Sequence, residues 1–221
     1  MTAAISLLVS PSATWPLIHF DRFKTTSHIG GMPQRSVREQ LIEHAEDVFR
    51  QQGFSAASVQ DLTVAAGVPK GSFYNHFSSK QDLAREILLR YVRATDTSML
   101  ADEGLPARER IRRHFAGQID RTMRTGLEFG CLLGTLSAES TVAGEEVRAG
   151  ADAGFAQWAG AVAGAIAAGQ RSGEISADIE PGRLAGTLID GFEGATLRAK
   201  ATGQTGPVDD FMTITLDRLL S

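Results

Sequence analysis

Residues 58–77 read SVQDLTVAAGVPKGSFYNHF, and the pattern of this stretch is the most informative in the chain. Ser58 stands three residues before Asp61, a spacing typical of a capped helix start. A tight connection at residues 67–69 leads from this helix to a second short helix, predicted over residues 70–77. Two short helices joined by a turn that contains glycine indicate a helix-turn-helix, and a generic three-helix bundle is the alternative interpretation.

Apolar residues at helical spacing extend the pattern on both sides. The first stripe lies between Arg35 and Gly53, where a glycine is suited to end a helix, and consists of Val37, Leu41, Ala45, Val48 and Phe49. Ser79 and Asp82 repeat the cap signature and begin a longer helix. The remaining predicted helices lie near residues 106–124, 127–140, 143–172, 181–203 and 207–220. Because strand-like alternation is absent from the sequence, it predicts an all-α protein.

The composition limits the possible classes of protein. The chain has 221 residues, of which 43% are hydrophobic and 22% are charged, so it has enough apolar residues for one or two domains with a real core. Its single cysteine excludes a disulfide within one chain. No run approaches the roughly 18 apolar residues of a membrane span, and Ile5–Val9 is shorter than a signal-peptide core of about 7 to 15 residues. The sequence therefore predicts a cytoplasmic protein without a membrane partner.

The first 33 residues differ from the rest of the chain. Prolines and glycines interrupt them, and they show no sustained helical or strand period. We interpret residues 1–33 as a flexible extension or as the result of a mis-called start, in which case translation begins at Met32 and residues 1–31 are not translated.

The charge is distributed unevenly. The chain has a formal net charge of −4, but residues 94–221 carry 12 basic and 18 acidic residues, whereas residues 33–93 carry 8 basic and 7 acidic residues. The acidity therefore belongs to the C-terminal part. Since a few cations at a contact surface matter more than the sum, the net charge does not exclude DNA as a partner of the N-terminal part.

The segment from Arg35 to Leu89 resembles the DNA-binding domain of TetR-family transcriptional regulators. The resemblance rests on AEDVFRQQGFSAASVQDLTVAAG at residues 45–67 and GVPKGSFYNHFSSKQDL at residues 67–83, in which the glycines, aromatic residues and Lys80 occur in the order and spacing of the family.

This resemblance implies a domain organisation and a function. A TetR-type DNA-binding domain would occupy residues 34–93, with the helix-turn-helix motif at 58–77, and an α-helical ligand-binding and dimerisation domain would occupy residues 94–221. A homodimer would bind a palindromic operator in double-stranded DNA, most simply as a repressor, and a small-molecule effector would release it. The last two helices would form the dimer interface, and the sequence leaves the effector, the operator and the sign of regulation open.

The second short helix carries residue types suited to DNA. Small residues at positions 71 and 72 let its N-terminus approach bases and phosphates closely. Phe73 and Phe77 share one helix face and are predicted to be buried, so Tyr74 and His76 are predicted to lie toward the DNA and donate to phosphate oxygens.

Other polar residues complete the predicted DNA-binding surface. Lys70 can reach either a guanine edge or a phosphate, Ser58 can cap its helix and also donate to a phosphate, and Arg35 can steer the first helix toward the DNA backbone. Lys80 resembles the phosphate-contacting lysine of the family. The complete predicted set is Arg35, Ser58, Lys70, Gly71, Ser72, Tyr74, Asn75, His76 and Lys80.

Two interpretations apply to the aromatic residues of the C-terminal part. Phe115, Trp158 and Phe192 can line the ligand pocket that the resemblance implies, or they can be ordinary core residues. The sequence alone does not choose between these interpretations.

Cys131 is a further candidate ligand-binding residue. If a helix begins near Phe129, the thiol lies in its first turn near Arg121 and Arg124, where a positive environment would lower its pKa and make it reactive. The string GCLLGTLSAE at residues 130–139 also resembles a TetR branch that contains acrylate-responsive and electrophile-responsive repressors. The alternatives are a regulator gated by Cys131 and a buried thiol that only fills space.

An enzyme is a remote alternative. Cys131 as a nucleophile would need a histidine base, but the sequence places His44 and His76 in the DNA-binding part and His28 in the extension, and gives His114 no evident orienting partner. The sequence also contains no metal-ligand cluster and no phosphate-binding glycine motif. It therefore predicts no catalysis, no cofactor and no metal.

Overall fold

The computed structural model describes residues 35–221, and the predictions for residues 1–33 lie outside this range. The α-helices are α1 (Val37–Ala56), α2 (Val59–Ala65), α3 (Lys80–Ala94), α4 (Ala107–Thr125), α5 (Leu132–Ala138), α6 (Ser140–Ala143), α7 (Glu145–Ser172), α8 (Pro181–Thr202), α9 (Gly206–Asp210) and α10 (Asp217–Leu219). Lys70–Asn75 and Ser98–Ala101 form 3₁₀ helices, and the π-helical segment Phe211–Leu216 joins α9 to α10. These residues contain no strand, so the all-α prediction is confirmed.

The first three α-helices enclose one end of the core. The N–H of Glu39 donates to the Ser36 hydroxyl at 3.2 Å, which caps the start of α1. The apolar stripe of α1 is buried, with Leu41 and Phe49 fully enclosed. Phe73 and Phe77 pack under α1 with their ring centroids 5.9 Å apart, as their spacing predicted.

The helix-turn-helix has the predicted caps but a shorter second helix. Ser58 and Asp61 form a reciprocal capping box at the start of α2, and Gly67 makes the turn with φ of 67°. The segment that was predicted to be helical over residues 70–77 is a 3₁₀ helix that ends at Asn75. It ends there because His76 leaves helical geometry at φ of −121°, which lets the chain turn toward α3.

Gly53 interrupts α1 rather than ending it. Its φ and ψ of 83° and 177° are open essentially only to glycine, and one further turn, through Ala56, follows. The Glu139 carboxylate accepts the N–H groups of Phe54 at 2.9 Å and Ser55 at 2.8 Å. A side chain 85 residues away in sequence therefore caps the turn that follows the interruption.

The predicted helix at 127–140 was wrong at its beginning. Gly126 and Gly130 have positive φ of 116° and 63°, so the backbone before α5 is irregular and the helix begins only at Leu132. Cys131 is the N-cap residue of α5 and does not lie in a first helical turn.

The C-terminal helix departs from a regular α-helix. Helical spacing predicts one apolar stripe of Val208, Phe211, Thr215 and Leu219. Val208 and Phe211 are buried, but beyond them the buried residues are Leu216 and Leu220. The π-helical turn at Phe211–Leu216 accounts for the difference, because its wider turn accommodates one extra residue between buried positions.

We expect Gly53→Ala to lower the free energy of unfolding by about 2 kcal/mol or more, because alanine is strained at this φ and its Cβ would collide with the Glu139 carboxylate. The matched control is Gly164→Ala in α7, where the added Cβ meets open space and alanine should stabilise the helix by up to about 1 kcal/mol. Urea unfolding at equal protein concentrations measures both effects. Equal stabilities for the two variants would contradict the proposed role of Gly53.

Candidate DNA-binding surface and ligand cavity

The 3₁₀ helix Lys70–Asn75 presents a polar edge to solvent. Tyr74 is 63% exposed, and its ring lies edge-on to the buried Phe73 ring with centroids 5.2 Å apart. Lys70, Asn75 and His76 are also exposed. Burial of Phe73 therefore fixes the base of this helix, and its polar residues face solvent.

The two predicted serines already make local hydrogen bonds. The Ser72 hydroxyl donates to the carbonyl of Pro69 at 2.6 Å, so its oxygen is left free to accept a hydrogen bond. The Ser58 hydroxyl donates to the Asp61 carboxylate at 2.6 Å and accepts from the Asp61 N–H at 3.2 Å. Both hydroxyls thus shape the ends of the two short helices.

Two of the predicted cations are engaged within the protein. The Lys80 ammonium donates to the carbonyls of Phe54 at 2.6 Å and Ala57 at 2.8 Å, and it lies 4.2 Å from the Phe54 ring centroid. Partial burial lowers the pKa of Lys80. Arg35 is paired with the Glu43 carboxylate. Lys80 thus secures the end of α1 and retains one N–H for any further contact, whereas Lys70 extends from the exposed edge of the turn.

A small cavity lies among α3, α4, α7 and α8. Cys131, Trp158 and Phe192 line it, as their prediction as ligand-binding residues requires, but Phe115 does not. Phe115 is fully buried behind the wall, with its ring centroid 6.0 Å from that of Trp158 and 5.4 Å from that of Phe192. The volume open to the centre of a water molecule is about 30 Å³, enough for about one or two waters.

Polar side chains that sequence reasoning missed also line the cavity. They include Arg50, Tyr91, Gln118, Arg121, Gln157 and Thr196. One sequence signal could have revealed Arg50, which directly follows the apolar stripe residue Phe49. In the structure Arg50 is almost completely buried. Thr196 is also buried, and the other polar residues lie at half-buried or exposed positions, where sequence alone does not distinguish them from solvated residues.

A buried histidine behind the cavity wall acts as an acceptor. The indole N–H of Trp158 donates to Nε2 of His114 at 2.8 Å. Burial lowers the pKa of His114 to about 4, so the imidazole is neutral near pH 7 and can accept this bond. The histidine thereby fixes the plane of the indole, and the sequence had given it no partner.

Residues 35–221 contain neither a candidate metal site nor a candidate membrane span. No group of three or more acidic, histidine or cysteine side chains is placed to hold a metal ion. None of the helices in that range is long and apolar enough to cross a membrane.

Comparison with known proteins identifies both parts of the chain. The family model of bacterial regulatory proteins of the tetR family matches residues 41–87, and that of the tetracyclin repressor-like C-terminal domain matches residues 107–215. The transcriptional repressor DhaR of Mycobacterium sp. (strain GP1) is 36% identical over 192 residues, which cover 86% of this chain and 95% of DhaR. The chain belongs to the TetR family.

Two further TetR-family proteins support the assignment. The transcriptional regulator AcuR of Cereibacter sphaeroides is 32% identical over 186 residues, which cover 82% of this chain and 84% of AcuR. The crystal structure of the reduced form of Escherichia coli NemR superimposes with a TM-score of 0.75 and 27% identity, over 84% of this chain and 97% of that one. The predicted family and the prediction of a DNA-binding repressor are thus confirmed, and these relatives are transcriptional regulators rather than enzymes.

Cys131 of this TetR-family chain is not the activated thiol that its sequence context suggested. Its sulfur lies 3.6 Å from the Tyr91 hydroxyl and contacts the Glu193 side chain. Burial, followed by the nearby Glu193 carboxyl, raises the pKa of the Cys131 thiol to about 12. The predicted lowering of this pKa was wrong because desolvation of the sulfur and the Glu193 carboxyl beside it outweigh the effect of a helix start.

We expect iodoacetamide to alkylate Cys131 at least about tenfold more slowly in the folded protein than in 6 M urea at pH 8, because the reactive thiolate is scarce at a pKa of about 12. Mass spectrometry of the cysteine-containing peptide measures both rates on the same sample. Equal rates would contradict a Cys131 thiol that stays protonated in the folded protein.

Glu193 should make the stability of this TetR-family protein depend on pH. Burial raises the pKa of Glu193 from its ordinary 4.5 to about 7, so the folded protein keeps a proton that the unfolded chain releases. The contribution of Glu193 to the free energy of unfolding is therefore fully present below pH 4.5. It is lost as the pH rises toward 7, which lowers the free energy of unfolding by at most about 3 kcal/mol.

The variant Glu193→Gln should remove this fall, so its melting temperature relative to wild type should increase between pH 4.5 and pH 7.5. The control is Asp190→Asn, an exposed position on the same helix. A Glu193→Gln difference that stays constant across this pH range would disprove the buried, protonated carboxyl.

Proposed function

We propose that this protein is a homodimeric repressor that binds a palindromic DNA operator through the exposed edge Lys70–His76 and releases it when a small effector enters the cavity. The observation that carries the proposal is the position of Tyr74, a large aromatic residue held 63% exposed at the tip of a helix-turn-helix by the buried Phe73. A structural role alone would not require an exposed tyrosine at the tip of the motif.

The contacts of this edge with DNA follow from its chemistry. The Tyr74 hydroxyl and the His76 imidazole would donate to phosphate oxygens and set the orientation of the helix. Lys70 and Asn75 would approach base edges in the major groove, where their donors can distinguish base pairs. Gly71 has open space around its Cα, so the helix N-terminus can come close to the DNA.

A dimer interface is supported by the outer face of the C-terminal helices. Leu197 is 68% exposed on α8 and Ile214 is 61% exposed on the π-helical segment. Gly186 and Gly194 of α8 have no neighbouring atoms where a Cβ would stand, so a partner helix can approach their backbone closely. A twofold dimer built on this face would present two recognition helices to two half-sites about 34 Å apart.

Effector entry would require the cavity to expand. A volume of about 30 Å³ holds water but no organic molecule of several heavy atoms, so a bound effector must displace part of the wall. An effector would therefore bind more tightly to a conformation with a displaced wall. It would favour release if, in that conformation, the two Lys70–Asn75 helices of the dimer no longer align with the DNA half-sites. Release by modification of Cys131 remains the second candidate, since Cys131 borders both the cavity and an outer cleft, although its raised pKa favours non-covalent release.

The test is a binding titration with the DNA immediately upstream of the gene, or with sites selected from random DNA, at several salt concentrations. Tyr74→Ala should weaken specific binding by about tenfold or more, since a hydrogen bond to a charged phosphate is worth about 1.5–3 kcal/mol. His76→Ala should weaken it in the same way, and the matched control His44→Ala, an exposed position on α1, should not.

Selective binding that weakens with salt and depends on Tyr74 and His76, but not on His44, would support the proposal. Binding that is indifferent to sequence, or equal losses for His76→Ala and His44→Ala, would contradict the proposed surface. In the same assay, Cys131→Ser distinguishes the two release mechanisms, because it abolishes release by a thiol-reactive compound only if modification is the signal.

A further inference from the structure

The side chain of Arg50 joins the DNA-binding part to the wall of the cavity. Arg50 belongs to α1 and is only 6% exposed. Its Nε and Nη2 donate to one acceptor, the carbonyl oxygen of Gly130, at 3.0 and 2.7 Å. Its Nη1 lies 3.8 Å from the Glu46 carboxylate. A buried guanidinium therefore takes its main partner from a backbone group 80 residues away, at the entrance to α5.

The acceptor lies in an irregular part of the cavity wall. Gly130 has φ of 63° and, like Cys131, lines the cavity. The Phe129 ring lies under the Arg50 guanidinium at 5.5 Å. Since Gly126 also has positive φ, the segment 126–131 is held by tertiary contacts more than by a helical hydrogen-bond ladder, and it can move without breaking a helix.

Two other side chains from the C-terminal part hold the same end of α1. The Lys200 ammonium of α8 donates to the backbone carbonyl of Arg50 at 2.9 Å. The Glu139 carboxylate accepts the N–H groups of Phe54 and Ser55, directly after the interruption at Gly53. The final turn of α1 leads to α2 at the capping residue Ser58, so a shift of this end moves the helix-turn-helix.

From this geometry we infer that Arg50 is a positioning residue that transmits the state of the cavity to the helix-turn-helix through the Gly130 carbonyl. An occupant that enlarges the cavity displaces residues 126–131, and the two hydrogen bonds pull the end of α1 with them. The inference rests on the proposed function and adds to it the path by which cavity and DNA-binding edge communicate.

A substitution that fills the cavity can replace the unidentified effector as the probe. Thr122 of α4 lines the cavity, and its hydroxyl donates only to the Gln118 carbonyl of the same helix. Thr122→Leu therefore adds volume to the cavity without removing a tertiary hydrogen bond. Thr125→Leu is the matched control, because Thr125 donates in the same way to the Arg121 carbonyl but does not line the cavity.

The experiment is a double-mutant cycle on operator binding by the full chain. Thr122→Leu should weaken operator binding by about tenfold, which lies within the change in affinity of about 5-fold to 150-fold that is typical of coupled sites. Thr125→Leu should leave the affinity unchanged. In the background of Arg50→Met, which keeps the bulk but removes the donors, the effect of Thr122→Leu should fall below about twofold. Arg50→Lys, which restores a single donor, should recover part of the effect.

A DNA-independent measurement separates this inference from the proposed function. Hydrogen exchange at the amides of Phe54 and Ser55 should be faster in Thr122→Leu than in Thr125→Leu, with Arg50 present. Circular dichroism tests whether each variant is folded. If Arg50→Met is unfolded, the exchange data and the binding data for Arg50→Lys test the role of Arg50 instead.

The inference is overturned if Thr122→Leu changes neither operator binding nor exchange, or if its effect persists undiminished in folded Arg50→Met. Absence of operator binding by the wild-type protein would instead contradict the proposed function, while the exchange result would still decide the role of Arg50.

Discussion

Burial of Phe73 is the constraint that positions the exposed edge Lys70–His76. A 3₁₀ helix of six residues has little intrinsic stability, and no side chain caps its start at Pro69. The ring of Phe73 anchors it to α1 and α2, and the alternation of buried and exposed positions then turns Tyr74 outward. The edge is therefore positioned by an apolar contact on its inner side, and the polar residues remain available for a partner.

Local chemistry was predictable from sequence, and long-range polar contacts were not. The capping box at Ser58, the turn at Gly67 and the buried pair of phenylalanines follow from spacings of three or four residues, and the structure reproduces them. The cap that Glu139 supplies to α1 joins residues that are far apart in the sequence, and no periodicity encodes it. The start of α5 was mispredicted for a related reason, because Gly130 has a positive φ and its carbonyl pairs with the distant Arg50 instead of with a helical N–H group.

The cavity shows the same division. Aromatic residues at helical spacing were expected either to line a pocket or to fill a core, and they do both: Trp158 and Phe192 face the cavity, whereas Phe115 supports them from behind. The environment of Cys131 depends on which helix packs over it, and α8 brings a carboxyl group instead of a cation. Arg50 of α1 lines the cavity together with residues of α4, α7 and α8. Residues on the two sides of the boundary expected near residue 93 therefore pack against each other.

The π-helical turn in the C-terminal helix changes how that helix accommodates sequence change. Its buried residues follow each other at intervals of three, five and four, from Val208 through Phe211 and Leu216 to Leu220. The interval of five means that the chain carries one residue more than a straight α-helix with the same buried face would need. Deleting a single residue between 211 and 216 is therefore compatible with the packing of both ends, whereas the same deletion elsewhere in the helix would rotate one end away from the core by about 100°.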